Sequence, residues 1–126
     1  MAVLFGNIYP TSLVRRSTLM TPISISDARQ LLETGFTSYW GHSNTARAAS
    51  ELLGIDVIPS TDRPAVTLDP DTKLPTLNGC SFNQVVVLSP EYHSGFRPQP
   101  GVEVEAGDIL GWQCLLVTFP DKSEKL

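Results

Sequence analysis

The sequence predicts a domain of the α/β or α+β class, with a mixed central sheet flanked by helices. Short apolar runs alternate with two capped, amphipathic helices up to about residue 68, and the remainder of the chain is rich in strand patterns. The chain has 126 residues, of which 41% are hydrophobic, as in an ordinary globular protein. We therefore expect a compact single domain over 1–126 that ends in a solvated tail at 120–126.

Two short apolar runs predict the strands of the first half. The first, VLFGNIY at 3–9, ends in a Pro-Thr-Ser sequence of turn composition. The second, FTSYW at 36–40, alternates between apolar and polar residues. Between them, the segment 13–22 predicts either a loop or a short extended arm.

Two helices are marked by their caps. The helix over 24–35 begins with Ser24 and Asp27, an acidic variant of the capping box, and stops at a glycine. The next helix runs from Ser43 or Asn44 to residue 53 and is closed by Gly54. The residues predicted to face the core are Ile25, Ala28, Leu31, Leu32, Ala48, Ala49, Leu52 and Leu53.

The second half alternates between strand patterns and Pro/Gly-rich stretches. Short strands are predicted over 55–59 and 64–68, and the apolar run at 83–89 predicts a buried strand. The run at 108–119 predicts a final strand or pair of strands. Turn-rich loops are predicted over 69–79 and 90–101, the second long enough to be functional.

Composition and charge exclude several classes of protein. The net charge of −4 argues against general DNA or RNA binding, although residues 1–50 carry four arginines against two acids and favour an anion site there. No apolar run approaches the ~20 residues that cross a bilayer, and the first ten residues lack a charged signal region. Cys80 and Cys114 have no metal-ligand spacing and are expected to be free thiols. We therefore expect a cytoplasmic protein with no membrane partner, metal or cofactor.

The stretch from Gly41 to Thr45 is the first candidate site. It follows a predicted strand and opens a helix, whose free N–H groups and dipole favour a phosphate. Ser43 and Asn44 add further donors in the same turn. His42 changes charge near neutral pH and could protonate the leaving oxygen of a phosphodiester. Alternatively, His42 is a capping or packing residue.

Three further positions could contact an anionic ligand. Asn7 ends the first strand, where parallel α/β sheets place ligand-binding groups, but it could also simply form a turn. Arg63 could reach a phosphate or pair with the preceding Asp62. The segment 91–97 gathers aromatic and arginine side chains that could stack on bases, or it is ordinary surface.

Together, these residues resemble the viral ring nuclease family of type III anti-CRISPR proteins. The resemblance covers about residues 3–68 and rests on three elements. They are a Gly-His-x-x-Thr sequence at 41–45 that opens a helix, a strand end from Leu4 to Asn7, and an Asp-Arg pair at 62–63.

The resemblance implies a compact homodimer with its pocket across the two-fold axis and no metal. Members cleave cyclic tetraadenylate and thereby suppress type III CRISPR signalling, in the host cytoplasm when the source is viral. The ribose 2′-hydroxyl attacks the adjacent phosphorus, His42 would protonate the departing 5′-oxygen, and Arg63 would be its catalytic partner. The ligand would be held by Asn7, Ser12, Gly41, Ser43, Asn44, Thr45, Gln84, Glu91 and Arg97.

The second half departs from the family pattern. Gln84, Glu91 and Arg97 are present, but not at the family's spacing, so the arginine that completes the site and the size of the ring stay open. Two other functions remain alternatives. One is a protein that sequesters a cyclic nucleotide without cleaving it, and the other is a dimeric interaction module with an idle pocket.

Overall fold

The computed structural model of the protein describes residues 3–40, 43–57, 66–92 and 109–120. In these ranges the chain forms two helices, eight strands and a short 3₁₀ turn at Thr11–Leu13. The elements are β1 (Val3–Gly6), β2 (Leu19–Pro22), α1 (Ile25–Glu33), β3 (Phe36–Ser38), α2 (Ser43–Leu53), β4 (Thr67–Leu68), β5 (Pro75–Leu77), β6 (Cys80–Ser81), β7 (Gln84–Tyr92) and β8 (Ile109–Thr118).

The main sheet has five strands in the order β2-β8-β7-β1-β3. The strand β1 pairs in parallel with both β3 and β7. The strand β8 pairs antiparallel with β7 on one side and with β2 on the other. The predicted mixed sheet and α+β class are therefore confirmed, with both parallel pairs on β1.

The two faces of this sheet are covered by different layers. Val3 and Phe5 face a cluster that contains the buried residues of α1 and α2, while Leu4 faces the opposite cluster. That opposite cluster includes Leu77 of β5, because an antiparallel sheet in the order β4-β5-β6 covers this side. The helices were predicted to flank the sheet; in the structure both pack on one face.

The helix caps follow the sequence signals. The Ser24 hydroxyl accepts a hydrogen bond from the Asp27 backbone N–H at 3.0 Å and so caps α1. After α2, Gly54 has a φ of +70° and donates its N–H to the Ser50 carbonyl at 2.8 Å. Among the helical side chains that the structure describes, the buried ones are Ala28, Leu32, Ala46, Ala49 and Leu53. Ala46 is not among the residues predicted to face the core.

Two predictions for the middle of the chain were wrong. Residues 55–57 do not form a strand; the Val57 N–H instead donates to the Ser50 hydroxyl at 2.8 Å and turns the chain back onto α2. The predicted loop at 69–79 contains β5, which pairs with β6 through a tight hairpin at Asn78 and Gly79. Both hairpin residues have positive φ, as a two-residue turn of this kind requires. Of the strand predicted at 64–68, only β4 is formed in the described residues.

The strand β7 is longer than predicted and passes through Pro90. Its ladder with β1 ends at Val87, whereas its ladder with β8 continues to Tyr92 with an irregularity after Glu91. Proline is tolerated in a strand where one side has no neighbouring strand, and Pro90 lies in that part of β7. The remainder of the predicted loop, 93–101, lies outside the described residues. Of the two options for 108–119, the single strand is the one formed.

The predicted first strand, the segment 13–22 and the predicted tail match the structure to different extents. The first strand was predicted over 3–9, but β1 stops at Gly6, and the chain at 7–9 lies beyond the ladders of the sheet. For 13–22, the extended-arm alternative is confirmed at β2, an edge strand paired with β8. Pro120 begins the predicted tail and accepts a hydrogen bond from the Arg16 guanidinium. Within the described ranges, neither helix has the length and apolar character needed to cross a bilayer.

Candidate functional site

The carboxyl ends of β1 and β3 lie side by side and define one edge of the sheet, called here the carboxyl edge. The parallel register pairs Phe5 with Ser38, and the Tyr39 N–H donates to the Phe5 carbonyl at 2.9 Å. The chain therefore leaves β1 at Asn7 next to the point where it leaves β3. The helix α2 then begins at Ser43, three residues after Trp40.

The backbone carbonyls of Asn7 and Ile8 bind side chains from the chain segments on either side. The Ser89 hydroxyl on β7 donates to the Asn7 carbonyl at 2.9 Å. On the other side, the Tyr39 hydroxyl donates to the Ile8 carbonyl at 2.6 Å. Asn7 is half-buried, whereas the Ile8 side chain is 61% exposed and adds little apolar burial. The chain just beyond β1 is thus fixed mainly by two side-chain hydroxyl groups.

The Tyr39 ring lies directly over Gly6, at a distance that leaves no room for a side chain there. A Cβ at this position would lie 2.6 Å from Cε1 of the ring and closer still to Cε2 and Cζ. Burial, and then the neighbouring Tyr9 phenol, raise the pKa of Tyr39 far above its usual range. Tyr39 is therefore a neutral hydrogen-bond donor at physiological pH.

Tyr9 holds the next part of the segment. Burial raises the pKa of Tyr9 to about 12, and its hydroxyl donates to the Leu13 carbonyl at 3.1 Å. The ring packs on Phe119, with centroids 5.9 Å apart. The 3₁₀ turn that contains Ser12 is therefore anchored at its end, and Ser12 itself is exposed.

Trp40 is the last described residue before the gap that precedes α2. Its side chain is fully buried and meets the Phe5 ring edge-on, with centroids 5.3 Å apart. The indole Nε1–H has no acceptor among the described residues.

The structure places the predicted ligand residues of β7 far apart. Gln84 begins the strand, opposite Thr118, and Glu91 lies near its end, opposite Gly111. At about 3.3 Å per residue, roughly 23 Å separate the two along the strand. Asn7 lies between these levels, because its neighbour Gly6 is in register with Val87. Gln84 and Glu91 thus lie on opposite sides of the level of Asn7, and their roles as ligand residues stay predictions.

Several predicted site residues fall outside the described part of the chain. These are Gly41, His42, Arg63 and Arg97, and for Ser43, Asn44 and Thr45 only the helical backbone is described. Their roles stay predictions. Within the described ranges, no group of three or more His, Cys, Asp and Glu side chains is close enough to hold a metal ion.

Two of the four arginines in the first half bind backbone carbonyls. Arg16 donates to the Thr72 carbonyl at 2.9 Å and also to the Pro120 carbonyl, and so joins the turn before β5 to the end of β8. Arg29 on α1 reaches the Leu52 carbonyl near the end of α2 at 3.4 Å. Both arginines therefore have structural partners, which the charge count alone did not indicate.

Ser89, Tyr39 and Trp40 are not among the site residues predicted from the sequence. The aromatic pair at 39–40 directly precedes the Gly-His motif, a position that could have suggested a role at the same edge. Ser89 had no such signal, because its bond to Asn7 joins residues 82 positions apart.

The fold and the carboxyl edge together define the class of protein. It is an α+β domain in which α2 follows β3, beside the end of the parallel strand β1. Such edges commonly hold anionic ligands. The fold is similar to that of B116 of Sulfolobus turreted icosahedral virus, with a TM-score of 0.61 and 12% identity over 94% of this chain and 100% of that one. At this identity the likeness concerns the fold alone. No protein-family model and no curated protein matches the chain.

Proposed function

We propose that this protein is a metal-independent ring nuclease that cleaves cyclic tetraadenylate. The observation that carries the proposal is that Asn7 and the start of α2 follow neighbouring parallel strands at the carboxyl edge. The sequence at this helix start is the Gly-His-x-x-Thr element of the family that residues 3–68 resemble. Helix N–H groups favour a phosphate, and Asn7 supplies an amide beside them.

In the proposed reaction, a ribose 2′-hydroxyl attacks the adjacent phosphorus in line. The new P–O2′ bond forms as the P–O5′ bond breaks, which leaves a 2′,3′-cyclic phosphate. His42 gives its proton to the departing 5′-oxygen, and the 2′-hydroxyl proton passes to solvent. Arg63 stabilises the negative charge that develops on the phosphoryl oxygens, and Asn7 orients the phosphate.

A viral origin and a two-fold dimer belong to the same proposal. The likeness in fold to a protein of a Sulfolobus virus supports an archaeal viral source. In that setting the protein would act in the host cytoplasm and remove the messenger of type III CRISPR signalling. A dimer with one pocket on its axis would present two identical halves to a four-fold ring.

The test compares the protein with two histidine variants. Cleavage of cyclic tetraadenylate in the presence of EDTA should fall by a factor of about 100 or more in His42→Ala, because general acid catalysis contributes about 10²–10⁴. His93→Ala changes the other histidine of the chain and should retain the full rate. A rise in melting temperature with the ring should persist in His42→Ala.

The alternatives make different predictions in the same assay. A sequestering protein would show the rise in melting temperature with no product from any variant. An idle interaction module would show neither. If His42→Ala cleaved as fast as the natural chain, the proposed mechanism would be wrong.

A further inference from the structure

We infer that Ser89 and Tyr39 are positioning residues that hold Asn7 in the orientation needed for cleavage. This inference rests on the proposed function, because it concerns the same site. The two side chains come from different parts of the chain on either side of β1 and bind consecutive backbone carbonyls. Neither is proposed to contact the ligand.

The ladders of the sheet no longer hold the chain at Asn7. The register of β1 with β7 ends at Gly6, and its last bond with the segment after β3 is at the Phe5 carbonyl. The carbonyls of Asn7 and Ile8 lie beyond both ladders. The hydroxyl groups of Ser89 and Tyr39 donate to them where a strand would otherwise supply backbone N–H groups.

Apolar packing does not replace those ladders. The Ile8 side chain is 61% exposed, while Gly6 before it and Tyr9 after it are buried. The two-residue link at 7–8 therefore crosses the carboxyl edge between two fixed points. Its peptide planes are set by the two hydrogen bonds.

The two hydrogen bonds also limit the direction of the Asn7 side chain. The bond from Ser89 fixes the peptide plane that follows Asn7, and β1 fixes the plane that precedes it. Both backbone dihedrals of Asn7 are thus constrained, and they determine which side-chain rotamers it can adopt. Loss of the Ser89 hydroxyl would free the peptide plane that follows Asn7 directly. Loss of the Tyr39 hydroxyl would free the plane that follows Ile8 and, through this link, the plane before it. In both cases the amide group would stay in place but be free to turn, and small misplacements of a positioning group reduce the rate strongly.

The test is a double-mutant cycle on the rate of cleavage of cyclic tetraadenylate. Ser89→Ala and Tyr39→Phe should each lower kcat about tenfold with KM within about twofold, and Ser89→Thr should restore the rate because it restores the hydroxyl. In the Asn7→Ala background, Ser89→Ala should cause no further loss, since the group it positions is absent. A full tenfold further loss in that background would overturn the inference.

A matched control separates positioning from general stability. Thr34→Val removes a hydroxyl that donates to the Leu31 carbonyl at 2.8 Å, at the end of α1 and away from the carboxyl edge. It should leave kcat unchanged. An equal loss of kcat in Thr34→Val would show that the effect of Ser89→Ala is not specific to Asn7.

An NMR measurement on the free protein distinguishes failure of this inference from failure of the proposed function. The side-chain NH₂ signals of Asn7, assigned by their loss in Asn7→Ala, should move or broaden in Ser89→Ala and Tyr39→Phe but not in Thr34→Val. If they are unchanged, the inference is wrong even when the protein is an active nuclease. If they change but no cyclic oligoadenylate is cleaved or bound, the hydroxyl groups position Asn7 and the proposed function fails.

Discussion

Replacing Gly6 with alanine should destabilise the fold because the Tyr39 ring occupies the space of a Cβ. The new methyl group would overlap three atoms of the ring, including Cε1 at 2.6 Å. Gly6 is buried in β1, which has a neighbouring strand on each side, so the backbone has little freedom to retreat and the ring must move. Such a shift would also stretch the bond from the Tyr39 hydroxyl to the Ile8 carbonyl.

The size of the effect follows from three contributions. Overpacking a buried site costs about 1–3 kcal/mol, and the lost hydrogen bond costs about 1 kcal/mol. Replacing glycine in a strand returns roughly 0.5–1 kcal/mol of backbone entropy. We expect a net loss of about 2 kcal/mol in the free energy of unfolding. At the usual entropy per residue, this lowers the melting temperature of a 126-residue chain by about 8 °C.

The assay is thermal and urea unfolding followed by far-ultraviolet circular dichroism, with Gly111→Ala as the matched control. A Cβ at Gly111 on β8 meets nothing within 4 Å, so that variant should be neutral or slightly more stable. Combining Gly6→Ala with Tyr39→Ala should remove most of the penalty, because the overlapping ring is gone. Equal stabilities of Gly6→Ala and Gly111→Ala would refute the reasoning.

Four further predictions concern the cap of α1, the arginine that binds two carbonyls, and the two thiols. Ser24→Ala should cost about 1 kcal/mol through loss of the α1 cap, and Ser24→Asp should retain the stability; urea unfolding of the two variants compares them. Arg16→Ala should cost about 1–2 kcal/mol in the same assay and leave cleavage unchanged, because Arg16 binds carbonyls and not the ligand. Burial raises the pKa of Cys114 from 9.0 to about 11, so the folded state holds its proton more tightly and the free energy of unfolding should fall as pH rises from about 9 to 11. In the folded protein a thiol reagent at pH 8 should modify the exposed Cys80 rapidly and Cys114 slowly, and equal rates for the two would contradict the burial.

The elements predicted with most success are those whose signals are local. Ser24 and Gly54 mark helix ends through hydrogen bonds within a few residues, so the sequence contains the whole interaction. Residues 85–88 of the run at 83–89 are buried, alternately on the two faces of the sheet, and the sequence shows this in its valines. The Asn78-Gly79 hairpin is equally local and its Asn-Gly signal is present in the sequence, although the prediction there was a loop over 69–79.

What could not be predicted depends on contacts between distant parts of the chain. Pro90 suggested the end of a strand, yet β7 continues there because β1 has already ended on one side. At the site, the position of Asn7 followed from the strand pattern. The partners that hold it did not, because Ser89 and Tyr39 lie 82 and 32 positions away along the chain. The separation of Gln84 from Glu91 became visible only with the register of β7.

The central claim is tested most directly by the products formed from defined rings. The purified protein is incubated with cyclic tri-, tetra- and hexaadenylate in the presence of EDTA, and the products are separated by chromatography and identified by mass. The account predicts linear adenylates that end in a 2′,3′-cyclic phosphate, formed from cyclic tetraadenylate. The account would be contradicted if all three rings stayed intact and none of them changed the protein's melting temperature.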